Sequence, residues 1–354
     1  MESTRAAAAS SGVGHGGISE GAAVLLLPFP GAQGHTNPML ELGRRLARHG
    51  LRPTFVSTRH VLSSTPPPGA PFRVAAISDG FDTGGFASCP DPAEYFSRLE
   101  AVGSETLREL LLSEEAAAVR TGVRLSPAVG AAGGARGRRA RRGFVHAAVR
   151  GEHRLRGAKG VVFEVILIVD TMEIELEVDY MKLTWRAKTI GLTLPSFYLG
   201  DDRLPSNKSY GFNVFVDDAA CIDWLEKQST SSVVLVSNGS YSNYDAAQLE
   251  ELGNGLCNSS KSFLWVVRSD EAHKLSEQLK VKCEKNGLIV SWCPQLEVLA
   301  HKAIGCFVTH CGWNSTLEAV VCGVPLVGVP HWADQPTIAK YVENVGYGCE
   351  IAEE

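Results

Sequence analysis

The chain has 354 residues, 44 % of them hydrophobic, and a formal net charge of −5. That is enough to bury a large core, and the length favours two domains. No run approaches the roughly 18 apolar residues that cross a bilayer, and the slightly acidic balance gives no sign of a nucleic-acid partner. Nine cysteines without a CxxC pair favour reduced thiols in a cytoplasmic protein over a disulfide framework or a zinc site.

The amino-terminal part of the chain has the pattern of a β-α-β unit. We expect the Ala/Ser/Gly-rich residues 1–21 to be disordered. The apolar run that follows predicts a strand over 23–29, which is too short and too interrupted by proline for a signal peptide. A glycine-bearing loop over 30–36 should lead into a helix with Asn37 as N-cap and Pro38 as its first residue.

Further elements of the same kind follow. The first helix should end at Gly50, because glycine commonly terminates helices. Strands are predicted over 51–56 and 72–77, and residues 95–112 have the period of an amphipathic helix.

The pattern is interrupted by a segment of unusual composition. Residues 116–160 contain eleven Lys/Arg and a single acid, Glu152, with no Asp and no apolar periodicity. Ala, Gly and Arg have GC-rich codons, so a frame change or mis-splicing in a GC-rich gene would produce this composition. The run RGRRARR at 136–142 could instead be a nuclear or nucleic-acid patch, but no aromatic residues are interleaved with it.

A second α/β series follows a Pro/Ser/Asp-rich stretch, residues 195–212, that is typical of an interdomain linker. Strands alternating with helices predict a parallel, doubly wound sheet, and two such domains would leave a cleft between them. The predicted strands cover 232–236, 263–267, 288–291, 303–309 and 324–329, and the helix before the second of them covers 245–257.

The stretch HCGWNSTLE, residues 310–318, lies at the strand-to-helix turn of a β-α-β unit. Ser315 and Glu318 fit a capping box at the start of the helix. A helix N-terminus suits a phosphate because its amides are unpaired and its dipole end is positive. His310 would add a donor and Trp313 a flat apolar wall, which together indicate a phosphorylated ligand that carries a ring.

Residues 292–335 resemble the 44-residue signature box of plant family-1 UDP-sugar glycosyltransferases. The run PFPGAQGHTNPM at 28–39 resembles the histidine loop of that family, and VLVSNGSYS at 234–242 its second phosphate loop. The resemblance implies an α/β fold of two Rossmann-like, doubly wound domains that face a cleft (GT-B type), apparently incomplete at the C-terminus. The acceptor would bind in residues 22–194 and the UDP-sugar in 213–354.

The resemblance also implies a role for each residue of the donor site. Trp292 would stack on uracil, whose edge the Cys293 backbone and Gln295 would read, and Glu318 would accept from the ribose hydroxyls. The diphosphate would be held by Ser240, His310, Asn314 and Ser315. The sugar would be fixed by Trp313, Asp334 and Gln335, and the terminal glutamine goes with glucose in this family.

For catalysis, the resemblance implies that His35 is the general base for an inverting transfer of glucose from UDP-glucose to a hydroxyl or carboxyl of a small plant metabolite. No metal or other cofactor is expected, since the helix dipole and His310 can stabilise the leaving diphosphate. UDP-glucose and a small acceptor are the expected partners of a monomeric cytoplasmic enzyme with no nucleic-acid or membrane partner.

One departure from the family pattern keeps a second interpretation open. Members carry an aspartate that orients the histidine, on a strand after the helix corresponding to 95–112, and here that place falls in the Asp-free segment 116–160. The alternative is therefore a catalytically impaired or non-catalytic relative that retains nucleotide-sugar binding.

Overall fold

The computed structural model describes residues 23–120, 168–170, 188–190, 192–200, 208–213, 220–242, 244–331 and 334–350. The stretch 1–21 and residues 121–160 of the arginine-rich segment lie outside these ranges. The disorder expected for residues 1–21 therefore stays a prediction. The same holds for the frame change and for the nucleic-acid patch considered for the arginine-rich segment.

The described residues of the first part of the chain form a parallel sheet of three strands with the order β1-β2-β3. The middle strand is buried along six of its seven residues, as expected for a strand covered on both faces. Its Phe55 packs with Leu40 of the first helix in one hydrophobic cluster. The elements are β1 (Ala23–Leu26), α1 (Gln33–Arg48), β2 (Arg52–Thr58), α2 (Arg59–Ser64), β3 (Arg73–Ile77), α3 (Pro92–Arg98) and α4 (Ser104–Arg120).

Helix α1 begins earlier than the sequence predicted. Ala32 is the N-cap and Gln33 the first helical residue, so Asn37 and Pro38 lie inside the helix rather than at its start. The backbone amide of Gln33 finds a partner outside the helix, the Ser240 hydroxyl at 3.4 Å, which stabilises the additional turn. Pro38 removes one internal hydrogen bond from the helix.

The prediction of a single helix over residues 95–112 is also wrong. The structure divides the region into α3, a π-helical turn over Leu99–Gly103, and α4. A π turn lets one extra residue into the helical path, which shifts the buried face between the flanking helices. Gly103 is buried in that turn, where a β-carbon would lie 3.3 Å from the Leu99 side chain.

The second part of the chain forms a six-stranded parallel sheet. Two three-residue strands, β4 (Ile168–Asp170) and β5 (Lys188–Ile190), pair with each other in a separate parallel ladder. The remaining elements are α5 (Ser196–Leu199), α6 (Ala220–Leu225), β6 (Val233–Ser237), α7 (Ala246–Asn258), β7 (Ser262–Val266), α8 (Glu277–Cys283), β8 (Gly287–Val290), α9 (Gln295–Leu299), β9 (Ile304–Thr309), α10 (Trp313–Val321), β10 (Leu326–Gly328), α11 (Gln335–Asn344) and β11 (Gly348–Glu350).

The strand order of this sheet is β11-β10-β9-β6-β7-β8. It is the order of a dinucleotide-binding sheet, because the chain runs outward in one direction from β6 and then returns to β9 on its other side. The point between β6 and β9 is therefore the topological switch point, where loops diverge at the carboxyl ends of the strands. The prediction of doubly wound parallel domains is confirmed.

A short segment of the predicted linker packs into both parts of the molecule. Tyr210 belongs to the cluster around the six-stranded sheet, whereas Phe212 packs on Phe55 of the three-stranded sheet with ring centroids 5.4 Å apart. Arg45 of α1 donates to the Leu194 carbonyl at 2.9 Å, and the Gln33 side chain donates to the Phe212 carbonyl at 2.9 Å. Helix α1 is thus fixed to the segments that connect the two sheets.

Substitutions at two glycines can test the packing around the second sheet. A β-carbon at Gly305 in β9 would lie 2.5 Å from the Ser231 carbonyl oxygen, whereas one at the exposed Gly255 in α7 would meet nothing within 4 Å. We expect Gly305→Ala to lower the free energy of unfolding by about 1–3 kcal/mol through overpacking. Gly255→Ala should raise it by about 0.5–1 kcal/mol. Urea unfolding of both variants measures this, and an unaffected Gly305→Ala would contradict the strand packing.

Candidate functional site

The switch point brings two loops together. Ser237 at the end of β6 pairs with Thr309 at the end of β9, and both residues are buried. The first strand leads into residues 238–242 and the second into residues 310–312, so the two loops leave the sheet side by side. Ser240 and His310, two of the residues assigned to the diphosphate, lie in these loops.

The ring of His310 lies against two glycines, one from each loop. A β-carbon at Gly239 would be 2.6 Å from the ring, and one at Gly312 would be 2.4 Å from its Nε2 atom. Gly239 also has a φ of 75°, which side chains rarely adopt. Burial lowers the pKa of His310 from 6.5 to about 4, so the imidazole is neutral at pH 7.

The start of helix α10 differs from the prediction. Gly312 is the N-cap and no side chain caps the helix, so the predicted capping box of Ser315 and Glu318 is wrong. The Ser315 hydroxyl instead accepts from Gln295 at 3.0 Å. The extended backbone of Gly312 starts the helix at Trp313, which leaves Ser315 in the first turn rather than ahead of it.

Glu318 is 1 % exposed and its carboxylate accepts three side-chain hydrogen bonds. Tyr210 and Asn314 donate to Oε1 at 3.1 Å and 2.7 Å, and Gln295 donates to Oε2 at 2.7 Å. Desolvation raises the pKa of Glu318, and the three donors oppose that rise. Four of the predicted site residues, Gln295, Asn314, Ser315 and Glu318, therefore form one bonded group.

The other predicted donor residues lie at the same edge of the sheet. Trp292 and Cys293 follow β8 and are buried, and Trp313 is the first residue of α10. Asp334 is the N-cap of α11 and Gln335 its first residue, and the Gln335 side-chain oxygen accepts from the His331 amide at 2.8 Å. Burial raises the pKa of Asp334.

His35 lies in the first turn of α1, not in a loop as the sequence predicted. It is half-buried, and its ring centroid is 5.8 Å from that of Phe29. The N-terminal turn of α1 faces that of α10, because a β-carbon at Gly34 would lie 3.5 Å from the β-carbon of Asn314. The structure thus brings the turn that carries His35 against the predicted diphosphate residues.

Comparison with known proteins identifies the family. The sequence profile described as "UDP-glucoronosyl and UDP-glucosyl transferase" matches residues 217–354. A barley protein (Hordeum vulgare subsp. vulgare), UDP-glucosyltransferase UGT13248, is 61 % identical, and the match covers 95 % of this chain and 82 % of that protein. The chain belongs to the plant family-1 UDP-glycosyltransferases.

Further relatives of this glycosyltransferase agree in sequence and in fold. The rice protein UDP-glycosyltransferase 79 (Oryza sativa subsp. japonica) is 53 % identical over 94 % of this chain and 84 % of its own length. A crystal structure of rice Os79 in complex with UDP has a TM-score of 0.77 at 49 % identity, covering 93 % of this chain and 86 % of that one. The GT-B arrangement of two α/β domains is thereby confirmed.

The sequence did not predict the role of several residues that support the candidate site of this glycosyltransferase. Arg268, which is 8 % exposed, donates to the carbonyls of Gly239 and Ser242 at 3.2 Å and 2.7 Å and so supports the first loop from behind. Tyr241 crosses to the turn before α1, where its hydroxyl donates to the Pro30 carbonyl. These contacts join residues 26 to 211 positions apart, so no local signal announces them.

A buried acid also lies near the aromatic residues around His35. Asp79 follows β3 and is fully buried, and its carboxylate accepts from the Tyr95 hydroxyl and the Phe81 amide, both at 2.9 Å. Tyr95 in turn lies 6.3 Å from Phe29, measured between ring centroids. Asp79 satisfies its own oxygens in this way and is not the aspartate that the family pattern places after the helix.

All nine cysteines of the glycosyltransferase lie in the described residues, and none of them forms a disulfide bond. Within the described parts of the chain, none of the helices combines the length and hydrophobicity that crossing a bilayer requires. The same parts contain no cluster of three or more His, Cys, Asp or Glu side chains placed to hold a metal ion.

The lowered pKa of His310 predicts a pH dependence of stability. The folded protein binds this proton less readily than the unfolded chain between pH 6.5 and pH 4, so the free energy of unfolding should fall as the pH is lowered through that window. A variant without the imidazole ring lacks this pH-dependent contribution to the free energy of unfolding. We therefore expect the stability difference between wild type and His310→Gln to shrink from pH 7 to pH 5, as measured by urea unfolding.

The exposed Val281 of α8 provides the control, because its side chain does not titrate. Val281→Ala should shift stability equally at both pH values. A His310→Gln difference that stays constant with pH would contradict the buried, neutral state of the His310 ring.

Proposed function

We propose that the protein transfers glucose from UDP-glucose to a hydroxyl or carboxyl group of a small plant metabolite, with inversion at the anomeric carbon and His35 as general base. The approach of the first turn of α1 to that of α10 carries the proposal, because His35 lies in the one turn, and Asn314 and Ser315, proposed for the diphosphate, lie in the other. The Gln33 amide of α1 also bonds the Ser240 hydroxyl at 3.4 Å.

The donor half of the proposal rests on the group around Glu318. A buried carboxylate suits a pair of vicinal hydroxyls, so Glu318 would hold the ribose. The Trp292 indole would stack on uracil, whose edge the Cys293 backbone and Gln295 would read. Trp313, Asp334 and Gln335 would hold the glucose hydroxyls. The similar rice protein Os79 has been crystallised in complex with UDP, which supports UDP as the nucleotide that this chain binds.

In the proposed reaction the acceptor oxygen forms a bond to the anomeric carbon while the bond from that carbon to the diphosphate oxygen breaks. The acceptor proton passes to the imidazole of His35, and UDP leaves with the electron pair of the broken bond. A single displacement of this kind inverts the configuration of the sugar.

We propose that the protein itself stabilises the leaving diphosphate. A metal ion would not be needed in this role. The negative charge would be stabilised by the N-terminal amides and positive dipole end of α10, by the neutral His310 ring, and by Asn314, Ser315 and Ser240. Turnover should therefore continue in the presence of a chelator.

An apolar aromatic surface next to His35 supports a ring-bearing acceptor. Phe29 contacts His35, Tyr95, Tyr241 and Phe96 with centroid distances of 5.8, 6.3, 5.7 and 5.7 Å, and Phe96 is 42 % exposed. One structure of rice Os79 contains a trichothecene, and another contains UDP and deoxynivalenol-3-glucoside. Deoxynivalenol is accordingly the first acceptor to assay, followed by small phenols and carboxylic acids.

The donor assignment is tested by calorimetry with UDP on the full chain. Glu318→Ala should weaken UDP binding roughly tenfold or more by removing hydrogen bonds to a charged acceptor, and Trp292→Ala should weaken it by loss of stacking. The exposed Glu284 gives the control, and Glu284→Ala should leave the affinity unchanged. UDP binding that neither site variant alters would show that the nucleotide binds elsewhere.

The catalytic assignment is tested by turnover of UDP-glucose. His35→Ala should lower kcat/KM by about 10²–10⁴, the usual contribution of a general base, while UDP affinity stays the same. His49→Ala should retain full activity. Wild-type protein that binds UDP but forms no glucoside with any acceptor would favour the non-catalytic relative, and equal turnover by His35→Ala and wild type would remove His35 from the mechanism.

A further inference from the structure

Tyr241 belongs to the loop after β6 but packs in the other half of the molecule. It follows Ser240 directly in the chain, and its ring leaves the six-stranded sheet to contact two phenylalanines beside the three-stranded sheet. The centroid distances are 5.7 Å to Phe29 and 5.0 Å to Phe86, and both pairs meet edge to face. Such pairs are favourable beyond the area they bury.

The hydroxyl of Tyr241 is fixed by the turn that precedes α1. It donates to the Pro30 carbonyl. The next residue, Gly31, has a φ of 72°, and a β-carbon there would lie 3.1 Å from the Tyr241 oxygen. Burial raises the pKa of Tyr241, so its hydroxyl keeps the proton it donates. Glycine is therefore needed at position 31 for two reasons: the turn has a positive φ there, and a side chain would crowd the Tyr241 hydroxyl.

The same turn leads directly to His35. Phe29 lies between the two residues, with its ring 5.8 Å from that of His35 and 5.7 Å from that of Tyr241. The amide of Gln33, two residues before His35, donates to the Ser240 hydroxyl next to Tyr241. Two adjacent residues of one loop thus bond the first residue of the histidine helix and the turn that precedes it.

The loop that carries Tyr241 is supported on its other side. The buried guanidinium of Arg268 bonds the carbonyls of Gly239 and Ser242, which flank Ser240 and Tyr241 in the chain. Charge-assisted bonds at both ends of a four-residue turn hold it in one shape. A movement of the loop is therefore transmitted to the Pro30 turn rather than absorbed within the loop.

From these contacts we propose that Tyr241 is a positioning residue for glycosyl transfer, which aligns His35 with the sugar by fixing the start of α1 against the diphosphate loop. The proposal rests on the proposed function of His35. Tyr241 itself touches neither the proton in transfer nor the breaking bond. Its loss should therefore affect the transfer step more than donor binding.

Kinetics of Tyr241→Phe test the role of the hydroxyl. We expect kcat to fall roughly three- to tenfold, as the loss of one hydrogen bond implies, with the KM for UDP-glucose changed less than about twofold. In a His35→Ala background the same substitution should leave the residual kcat unchanged, because a positioning effect needs the base it positions. Tyr347→Phe, at a half-exposed tyrosine directly before the edge strand β11, is the control.

A second readout does not depend on turnover. The ring-proton resonance of His35, assigned by its absence in His35→Gln, can be followed by NMR through a pH titration of the free protein. We expect Tyr241→Ala to change both the resonance position and the apparent pKa of His35, and Tyr241→Phe to change them less. Tyr347→Phe should change neither.

The two readouts separate this proposal from the function on which it rests. An unchanged His35 titration in Tyr241→Ala overturns the positioning role whether or not the protein turns over sugar. A fall in kcat that is equally large in the His35→Ala background, or a rise in KM with unchanged kcat, overturns it as well. A changed titration in a protein without glucosyl transfer would support the coupling and reject the proposed reaction.

Discussion

The parallel pairing of β6 with β9 in the centre of the larger sheet is the constraint from which the site follows. A parallel pair between strands that are distant in sequence leaves both carboxyl ends at one edge, and the connections must diverge there. Every residue assigned to the diphosphate lies in the loops or the first helical turn that leave this edge. The glycines at 239 and 312 are needed because the two loops must come close enough to enclose the His310 ring between them.

The approach of α1 to α10 concentrates positive electrostatic potential at the site. Two helix N-termini that face each other bring two positive dipole ends into the same space, which is unfavourable unless an anion lies between or beside them. Neither helix has a side-chain cap at its N-terminus or an acidic residue in its first turn that would neutralise the dipole. The neutral His310 avoids adding a third positive charge in the absence of ligand. A diphosphate would meet all of these groups at once.

The sequence predicted the larger features of this arrangement because they have local signals. Alternating strand and helix periods predicted the doubly wound sheets, and the residues that the 292–335 box assigns to the donor lie in the loops and helix starts that follow the strands. Local signals failed where a distant group decided the outcome. Asn37-Pro38 and Ser315 to Glu318 both match helix-start patterns, yet α1 begins where Gln33 meets Ser240, and α10 begins at Trp313, after an extended glycine. The Glu318 carboxylate, which a capping box would direct to the backbone, bonds Tyr210 and Gln295 from other elements.

The bonds of Glu318 extend the coupling between the two domains to the linker. Its carboxylate can accept about four hydrogen bonds, and three positions are already occupied by Tyr210, Asn314 and Gln295. In the proposed function two ribose hydroxyls must enter, so one of the present donors has to give up its position. Tyr210 belongs to the segment 208–213, whereas the other two lie on helices of the sheet. Because Phe212 in that segment packs on Phe55 beneath α1, Tyr210 is joined directly to the core that supports His35.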